Sequence, residues 1–340
     1  MKIIAALPQH TKDRCFTDAA WKKLQSLGEF HWFSHNGWSK EPPNPSFTDF
    51  CKTLGGADIL LTGWGAPKIT PDVLNANPNL KLIAHSAGSV AHVDIDAWKR
   101  NITVTNVMPM MGYGVAEFSL LFILDGLRRF AGHVKPELWG TIPFYADPKT
   151  SGTMLRHKTV GLVGFGIIGR QTLNLLKPFD CQVLVYDPYL RQESVNHLGV
   201  TLVPLADLMT RSHAVSLHAP GTEANKNTID EKMLRLLKPG SVLVNTARGI
   251  LIDHDALAKV AAEGNIGVYL DVTYPEPLPP DHPLRKLSNV ILTPHVAGPT
   301  PDANPEMGDC ALEEIEHLLN HQPPIWPVSE SQYMNQSRTT

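Results

Sequence analysis

At 340 residues, with 43% hydrophobic and 19% charged side chains, the chain has the length of about two globular domains and an ordinary globular composition. A formal net charge of −3 offers no electrostatic reason to bind nucleic acid or an anionic membrane. Four scattered cysteines (Cys15, Cys51, Cys181, Cys310) without a C-x-x-C pair indicate neither a zinc knuckle nor a disulfide framework, so no metal is expected.

The opening MKIIAALPQHTKDR has too short an apolar run for a signal-peptide core. No uncharged apolar stretch approaches the ~18 residues of a membrane span, so the cytoplasm is the expected location. Strands are expected at KIIAAL, EFHWFS, DILLTG, LKLIAHS and ITVTNV. Helices lie between them, such as TDAAWKKLQSLG, where Trp21, Leu24 and Leu27 recur at helical spacing. A long apolar helix follows at about 112–131, interrupted by Glu117 and Asp125, and leads into the Pro-, Gly- and aromatic-rich KPELWGTIPFYADPKTSG.

A second series of strands runs TVGLVG, CQVLVYD, VTLV, AVSLHA, SVLVNTA, GVYLDV and NVILTP. Its helices include DEKMLRLLKPG, for which Thr228 and Glu231 can form a capping box, and DHDALAKVAAEGN. The segment after His295 holds one good helix, PEMGDCALEEIEHLLN, and is too small for a domain, so it must pack on one already built. Two α/β units with doubly wound parallel sheets are expected.

The most specific local signal is TVGLVGFGIIGRQTLNLLKPFDCQVLVYDP. Gly164, Gly166 and Gly169 form G-x-G-x-x-G directly after a strand and at the opening of a helix, the context a dinucleotide-binding loop requires. Ile167 and Ile168 fall at the helix N-terminus, whose N–H groups and dipole favour phosphate oxygens. Asp187 ends the next strand, where a carboxylate can accept from both ribose hydroxyls and repel a 2′-phosphate. NAD is therefore expected as cofactor and NADP less so, with Arg191 as a mild counter-indication.

Arg248 ends SVLVNTARG, Glu276 follows GVYLDVTYPEP and His295 follows NVILTP, at the ends of successive strands of one sheet. Ligands of open α/β sheets bind outside those ends, so the three can converge. Reduction of a 2-keto acid needs a cation for the carboxylate, and Arg offers a bidentate fork. It needs an acid for the carbonyl oxygen, and a histidine titrates near working pH. A carboxylate on the far ring nitrogen would orient that histidine.

At these residues the chain resembles the D-isomer-specific 2-hydroxyacid dehydrogenases, in LVNTARG, LDVTYPEPLPPDHPL and ILTPHVAG, and the likeness extends from LKLIAHSAGSV to about residue 300. The resemblance implies that Arg248 binds the substrate carboxylate, that Glu276 pairs with the histidine and that His295 is the general acid/base. It implies that Asp271 holds the nicotinamide carboxamide. His218, Ala219 and Pro220 would line the adenosine side, Thr246 and Ala247 the nicotinamide side. Ala87 and Gly88, in HSAGSV, would meet the substrate carboxylate through backbone N–H groups. It also implies two Rossmann-like domains with a cleft between them: a discontinuous substrate domain of 1–107 plus 299–340, and an NAD-binding domain of 108–298. The family dimerises through the long helix near 112–131, so a homodimer through the cofactor domain is the expected assembly, with no nucleic acid or membrane partner.

One departure stands out. The family's loop usually reads G-A-G-x-D, and here it is SAGSVAHVD, with Ser86 for the first glycine and one residue inserted. DVTYPEPLPPDHP looks most like the glyoxylate/hydroxypyruvate reductases, whereas formate dehydrogenase relatives carry Gln where this chain has Glu276. For the substrate's side-chain pocket the candidates are Met108, Met110, Met111, Tyr113 and Trp139. An L-lactate or malate dehydrogenase would place its glycine loop near the N-terminus, whereas here it begins at Gly164. The rival from another class is a corepressor-like, NAD-responsive binding module of the same fold, against which the full Arg248, Glu276 and His295 set argues.

Overall fold

The computed structural model describes residues 1–37, 45–134 and 152–335; Trp139 and most of the segment around it lie outside the described residues. The chain divides into two compact units, one made of Met1–Met111 with Pro299–Arg338, the other of Gly112–Gly298.

The first unit carries strands β1 (Lys2–Ala6), β2 (Glu29–Phe33), β3 (Ile59–Thr62), β4 (Leu82–His85) and β5 (Thr103–Asn106), all parallel, in the order β2-β1-β3-β4-β5. The inner strands β1, β3 and β4 read as nearly unbroken apolar runs because both faces are covered. Ile3, Ala5, Ile59, Leu61, Leu82 and Ala84 feed one core, while Ile4, Ala6, Leu60 and Ile83 feed the other. The Asn304–Leu319 helix contributes Met307, Ala311, Leu312 and Ile315 to the first of these cores. Beyond it, the buried Glu314 carboxylate accepts from the backbone N–H groups of Ile325 (3.1 Å) and Trp326 (2.6 Å) and turns the chain back. The returning segment is pinned by Trp98 Nε1 donating to the Val328 carbonyl and by Tyr333 Oη donating to the Val93 carbonyl, both at 2.7 Å.

The second unit carries β6 (Thr159–Val163), β7 (Gln182–Tyr186), β8 (Thr201–Leu202), β9 (Ala214–Leu217), β10 (Val242–Asn245), β11 (Gly267–Leu270) and β12 (Val290–Leu292). All are parallel, in the order β12-β11-β10-β9-β6-β7-β8. The chain starts in the middle at β6, winds outward to β8, then crosses to β9 and winds the other way. The carboxyl ends of β6 and β9 thus frame the topological switch point, where ligands of such sheets bind.

Two expectations need correction. The N-cap of the helix after β9 is Asp230, whose side chain accepts from Met233 N, and not a Thr228–Glu231 capping box. The Thr228 hydroxyl instead donates to the Asn225 carbonyl. An acidic residue one position before the helix is the stronger cap, and the helix is correspondingly short, Glu231–Leu234, ahead of the turn-forming Lys238, Pro239 and Gly240. The second concerns the bounds of the long apolar helix, expected at about 112–131. It runs over Met108–Arg128 and, with Glu117 and Asp125 included, is long and apolar enough to cross a membrane by length and composition. Its Phe122, Ile123 and Leu127 are buried with Val160 and Leu162 in a core of the second unit.

Several histidines are buried in the neutral form. Burial pulls His92 and His218 down to about 4 and holds His85 well below the ordinary 6.5. Their folded-state pKa values lie below the unfolded one, so the unfolded chain takes up more protons as pH falls. The stability they carry is complete above about pH 6.5 and is lost on the way down to about 4. We expect the unfolding free energy to fall between pH 6.5 and 4.5 by up to about 1.4 kcal/mol per pH unit for each such histidine. Urea titrations across that range check this, and a flat profile would contradict it.

Candidate active site

The switch point of the second sheet is built first by its glycines. Gly164 has φ +89° at the end of β6, and a Cβ there would lie 2.6 Å from Ala219 N on the neighbouring strand's exit. A Cβ on Gly169 would lie 2.6 Å from the Gly164 carbonyl, so the Ile167–Leu176 helix packs tightly on the loop, while Gly166, its N-cap, has open space where a side chain would project. Asp187 ties this loop to β7: its Oδ2 accepts from Phe165 N (2.9 Å) and its Oδ1 from Tyr189 N (3.0 Å). A carboxylate has about four lone-pair sites, so two remain for ligand hydroxyls. A cavity of about 190 Å³ opens beside it, lined among others by Tyr186, Asp187, Leu217, Ala219, Pro220 and Asn225. His218 adds a neutral ring whose two buried nitrogens find no partner among the described residues. An open glycine N-cap, a ribose-height carboxylate, an apolar cavity and a buried ring with free hydrogen-bonding capacity together fit a dinucleotide.

Arg248 follows β10 in a turn built by Asn245. The buried Asn245 side chain accepts from Ala247 N (3.0 Å) through Oδ1 and donates to the Arg248 carbonyl (2.9 Å) through Nδ2. Arg248 Nη1 donates to the Ala247 carbonyl at 2.7 Å. Burial pulls the guanidinium's pKa down and the charge of Glu276 opposes that shift; the group is a desolvated cation with donor capacity to spare. Gly249 is the position where the next loop comes closest: a Cβ there would lie 2.0 Å from the Thr273 carbonyl carbon. Thr246, beside Arg248, shares a 2.7 Å hydrogen bond with the buried Ser119 hydroxyl.

Asp271 ends β11 and is 2% exposed. Its Oδ1 accepts from Thr293 Oγ1 (2.5 Å) and Val296 N (2.8 Å), its Oδ2 from Ala297 N (2.9 Å), and its backbone carbonyl from His295 N (3.0 Å). The clamp holds the whole turn after β12, in which His295 has φ +55°, a left-handed conformation uncommon for a residue with a side chain. Pro294 alone would not produce it. The ring then meets Glu276: His295 Nδ1 and Glu276 Oε1 are 2.6 Å apart, and Glu276 Oε2 accepts from Thr273 N at 3.3 Å. A carboxylate only accepts, so the pair places the proton on Nδ1 and leaves Nε2 as the working nitrogen. Both side chains are about half exposed. Arg248, Glu276 and His295 therefore sit on three adjoining loops of one sheet edge.

Comparison with known proteins decides the family. The model of the D-isomer specific 2-hydroxyacid dehydrogenase NAD binding domain matches residues 119–297. A glyoxylate reductase of Thermofilum pendens is 37% identical over 290 residues, 84% of this chain and 85% of that protein. The chain belongs to the D-isomer-specific 2-hydroxyacid dehydrogenase family. A D-3-phosphoglycerate dehydrogenase of Mycobacterium leprae is 33% identical over 81% of this chain and 52% of its own longer one. Among solved structures, an acyclic imino acid reductase in complex with NADPH and D-Arg is 26% identical, with a TM-score of 0.74 over 97% of this chain and 100% of that one. The chain is thus an oxidoreductase of this dehydrogenase family with an NAD-binding domain.

The predicted Ala87 and Gly88, with Met108, Met110 and Met111, fall in the first unit, and Tyr113 in the second. The carbonyls of Ala87 and Gly88 accept from Val107 N (3.1 Å) and Asn106 Nδ2 (2.7 Å), and among the described residues neither N–H has an acceptor. Of the side-chain pocket candidates, Met110 and Met111 pack on the first unit's core and Tyr113 is 63% exposed. Met108 lies against the loop, its Cε 2.6 Å from where a Gly88 Cβ would be. Asn245, Thr293 and Ser119 were missed from sequence. The available signal was weak: each is a lone polar residue in an apolar run, and only its partner in space shows what it does.

Replacing Asp271 with Leu leaves two backbone N–H groups and one hydroxyl without their acceptor. We expect a loss on the order of 3 kcal/mol of stability, together with a collapse of turnover as the His295 turn relaxes. Denaturant titration and steady-state kinetics on the same variant check both; unchanged stability would show that the clamp is dispensable.

Proposed function

We propose that the chain is an NADH-dependent reductase of small 2-keto acids, working reversibly on the corresponding D-2-hydroxy acids, with substrates in the size range of glyoxylate and hydroxypyruvate. The observation that carries this is the 2.6 Å pair of His295 and Glu276 on the same sheet edge as the partly buried Arg248. The name of the Thermofilum relative and the short LDVTYPEP loop support the substrate size.

Bound at the glycine loop, NADH supplies the two electrons and the hydrogen that reach the keto carbon. Gly164, Gly166, Ile167, Ile168 and Gly169 hold its pyrophosphate, Asp187 its ribose, and His218, Ala219 and Pro220 its adenosine side. Thr246, Ala247 and Asp271 serve the nicotinamide side, Asp271 through its remaining lone pairs. Arg248 takes the substrate carboxylate in a two-point grip, and the N–H groups of Ala87 and Gly88 are assigned to the same carboxylate. His295 gives its Nε2 proton to the keto oxygen as negative charge grows there. Glu276 keeps the ring in the productive tautomer and offsets its charge before the proton leaves. In the oxidative direction the neutral ring accepts the hydroxyl proton at the same nitrogen.

Two copies of the chain are proposed to pair through the long Met108–Arg128 helix, whose Tyr113 and Leu121 are 63% and 55% exposed. A cytoplasmic location is consistent with four cysteines that are all free thiols.

Kinetics with both cofactors test the role of Asp187: kcat/KM with NADH should exceed that with NADPH, and Asp187→Ala should narrow the gap. Equal efficiency in the wild type would show that the carboxylate does not select. Arg248→Lys keeps the charge and loses the fork; we expect KM for the keto acid to rise about tenfold or more with little change in NADH affinity measured by fluorescence. A comparable loss of NADH binding would give Arg248 a structural role instead. His295→Gln should lower kcat by roughly 10²–10⁴ with NADH binding retained.

A further inference from the structure

The turn after β10 runs Asn245, Thr246, Ala247, Arg248, and all but one of its backbone carbonyls are occupied. That of Asn245 accepts from Asp271 N (2.9 Å), that of Ala247 from Arg248 Nη1 (2.7 Å) and that of Arg248 from Asn245 Nδ2 (2.9 Å). The Thr246 carbonyl has no donor among the described residues, although Thr246 is only 6% exposed. A carbonyl largely withdrawn from water needs a donor. At the edge of a cofactor site, a ligand is the group that can bring one.

What holds Thr246 comes from another element. Phe122 and Ile123 of the Met108–Arg128 helix share a core with Val242 and Val244 of β10, so the helix packs along this strand. One turn before them lies Ser119, fully buried, its Oγ 2.7 Å from the Val115 carbonyl and 2.7 Å from Thr246 Oγ1. A carbonyl cannot donate, so the single hydroxyl proton of Ser119 goes to Val115. The Thr246 hydroxyl is then the donor in the second bond, and Ser119 Oγ accepts. That bond ties the Thr246 side chain to the helix and sets its rotamer.

We infer that Ser119 is a positioning residue for the nicotinamide end of the cofactor: by accepting the Thr246 hydroxyl proton it fixes the residue whose free carbonyl receives an N–H of the nicotinamide carboxamide. This rests on the assignment of Thr246 and Asp271 to the nicotinamide side. A carboxamide has two N–H hydrogens, and two acceptors adjoin here, the Thr246 carbonyl and the Asp271 carboxylate, whose backbone N–H is already bonded to Asn245. Held at both hydrogens, the carboxamide cannot turn over, and the ring keeps one orientation. Ser119 acts through Thr246 and touches neither cofactor nor substrate in this role.

ADP-ribose carries every part of NADH except the nicotinamide, so it separates this role from a general structural one. In Ser119→Ala, Kd for NADH, measured by its fluorescence, should rise about five- to tenfold. Kd for ADP-ribose, measured by calorimetry, should stay within about twofold of wild type. Thr246→Val removes the donor and keeps the shape; it should weaken NADH in the same sense, and Thr246→Ser, which keeps the hydroxyl, should lose much less. This second pair carries the test if Ser119→Ala folds poorly. The double variant Ser119→Ala, Thr246→Val should bind NADH about as weakly as either single one, because both remove the same bond. Equal weakening of NADH and ADP-ribose, an unchanged NADH affinity in Ser119→Ala, or additive losses in the double variant would overturn the inference. Wild-type binding of NADH no tighter than that of ADP-ribose would instead remove the nicotinamide-side assignment on which it rests.

Discussion

A single buried carboxylate organises the chemistry of the second unit. Asp271 has left water at the end of β11, which is costly for a charge unless its oxygens find donors. It finds three, all in the turn after β12, and a fourth bond from His295 N reaches its own carbonyl. Charge-assisted bonds of this kind are among the stronger ones available to a protein. They hold His295 at a positive φ that its side chain would otherwise resist. The His295 ring reaches Glu276 because that turn is held, and Glu276 is in place because Gly249 lets the Arg248 turn come up against Thr273. Remove the clamp and the other contacts lose their common frame.

The two sheets solve a similar problem at different orders. The first, β2-β1-β3-β4-β5, reverses direction between β1 and β3; the second reverses between β6 and β9. At the second reversal the sequence supplies glycines, so the backbone itself can face a ligand. Two strands along from the first reversal, after β4, the corresponding work falls to side chains under the backbone, with Thr62, His85 and Asn106 each holding a neighbour's polar group. Glycine gives an open loop by the absence of a side chain, and the SAGSV loop reaches a defined shape by the presence of several.

What was legible in the sequence follows from range. β1, β3, β4, β9 and β10 are short, largely apolar runs because they are covered on both faces, so their positions can be read without knowing their neighbours. The glycine loop is equally local, since its three glycines and Asp187 fall within one β-α-β stretch. Arg248, Glu276 and His295 could be put at strand ends for the same reason. What could not be read depends on partners distant in the chain. Asp271 accepts from residues 22 to 26 positions away, and Ser119 meets Thr246 across 127. The Thr228–Glu231 cap failed on a different ground: two local caps competed, and Asp230 lay immediately before the helix.

The Asn304–Leu319 helix has a consequence for how the chain comes into being. Its Met307, Ala311, Leu312 and Ile315 complete one face of a sheet whose first strand begins at Lys2. During synthesis the Gly112–Gly298 unit emerges as one continuous stretch and has every element it needs. In the first unit Ile3, Ala5, Leu61 and Ala84 lack part of their cover until the Asn304–Leu319 helix has been made.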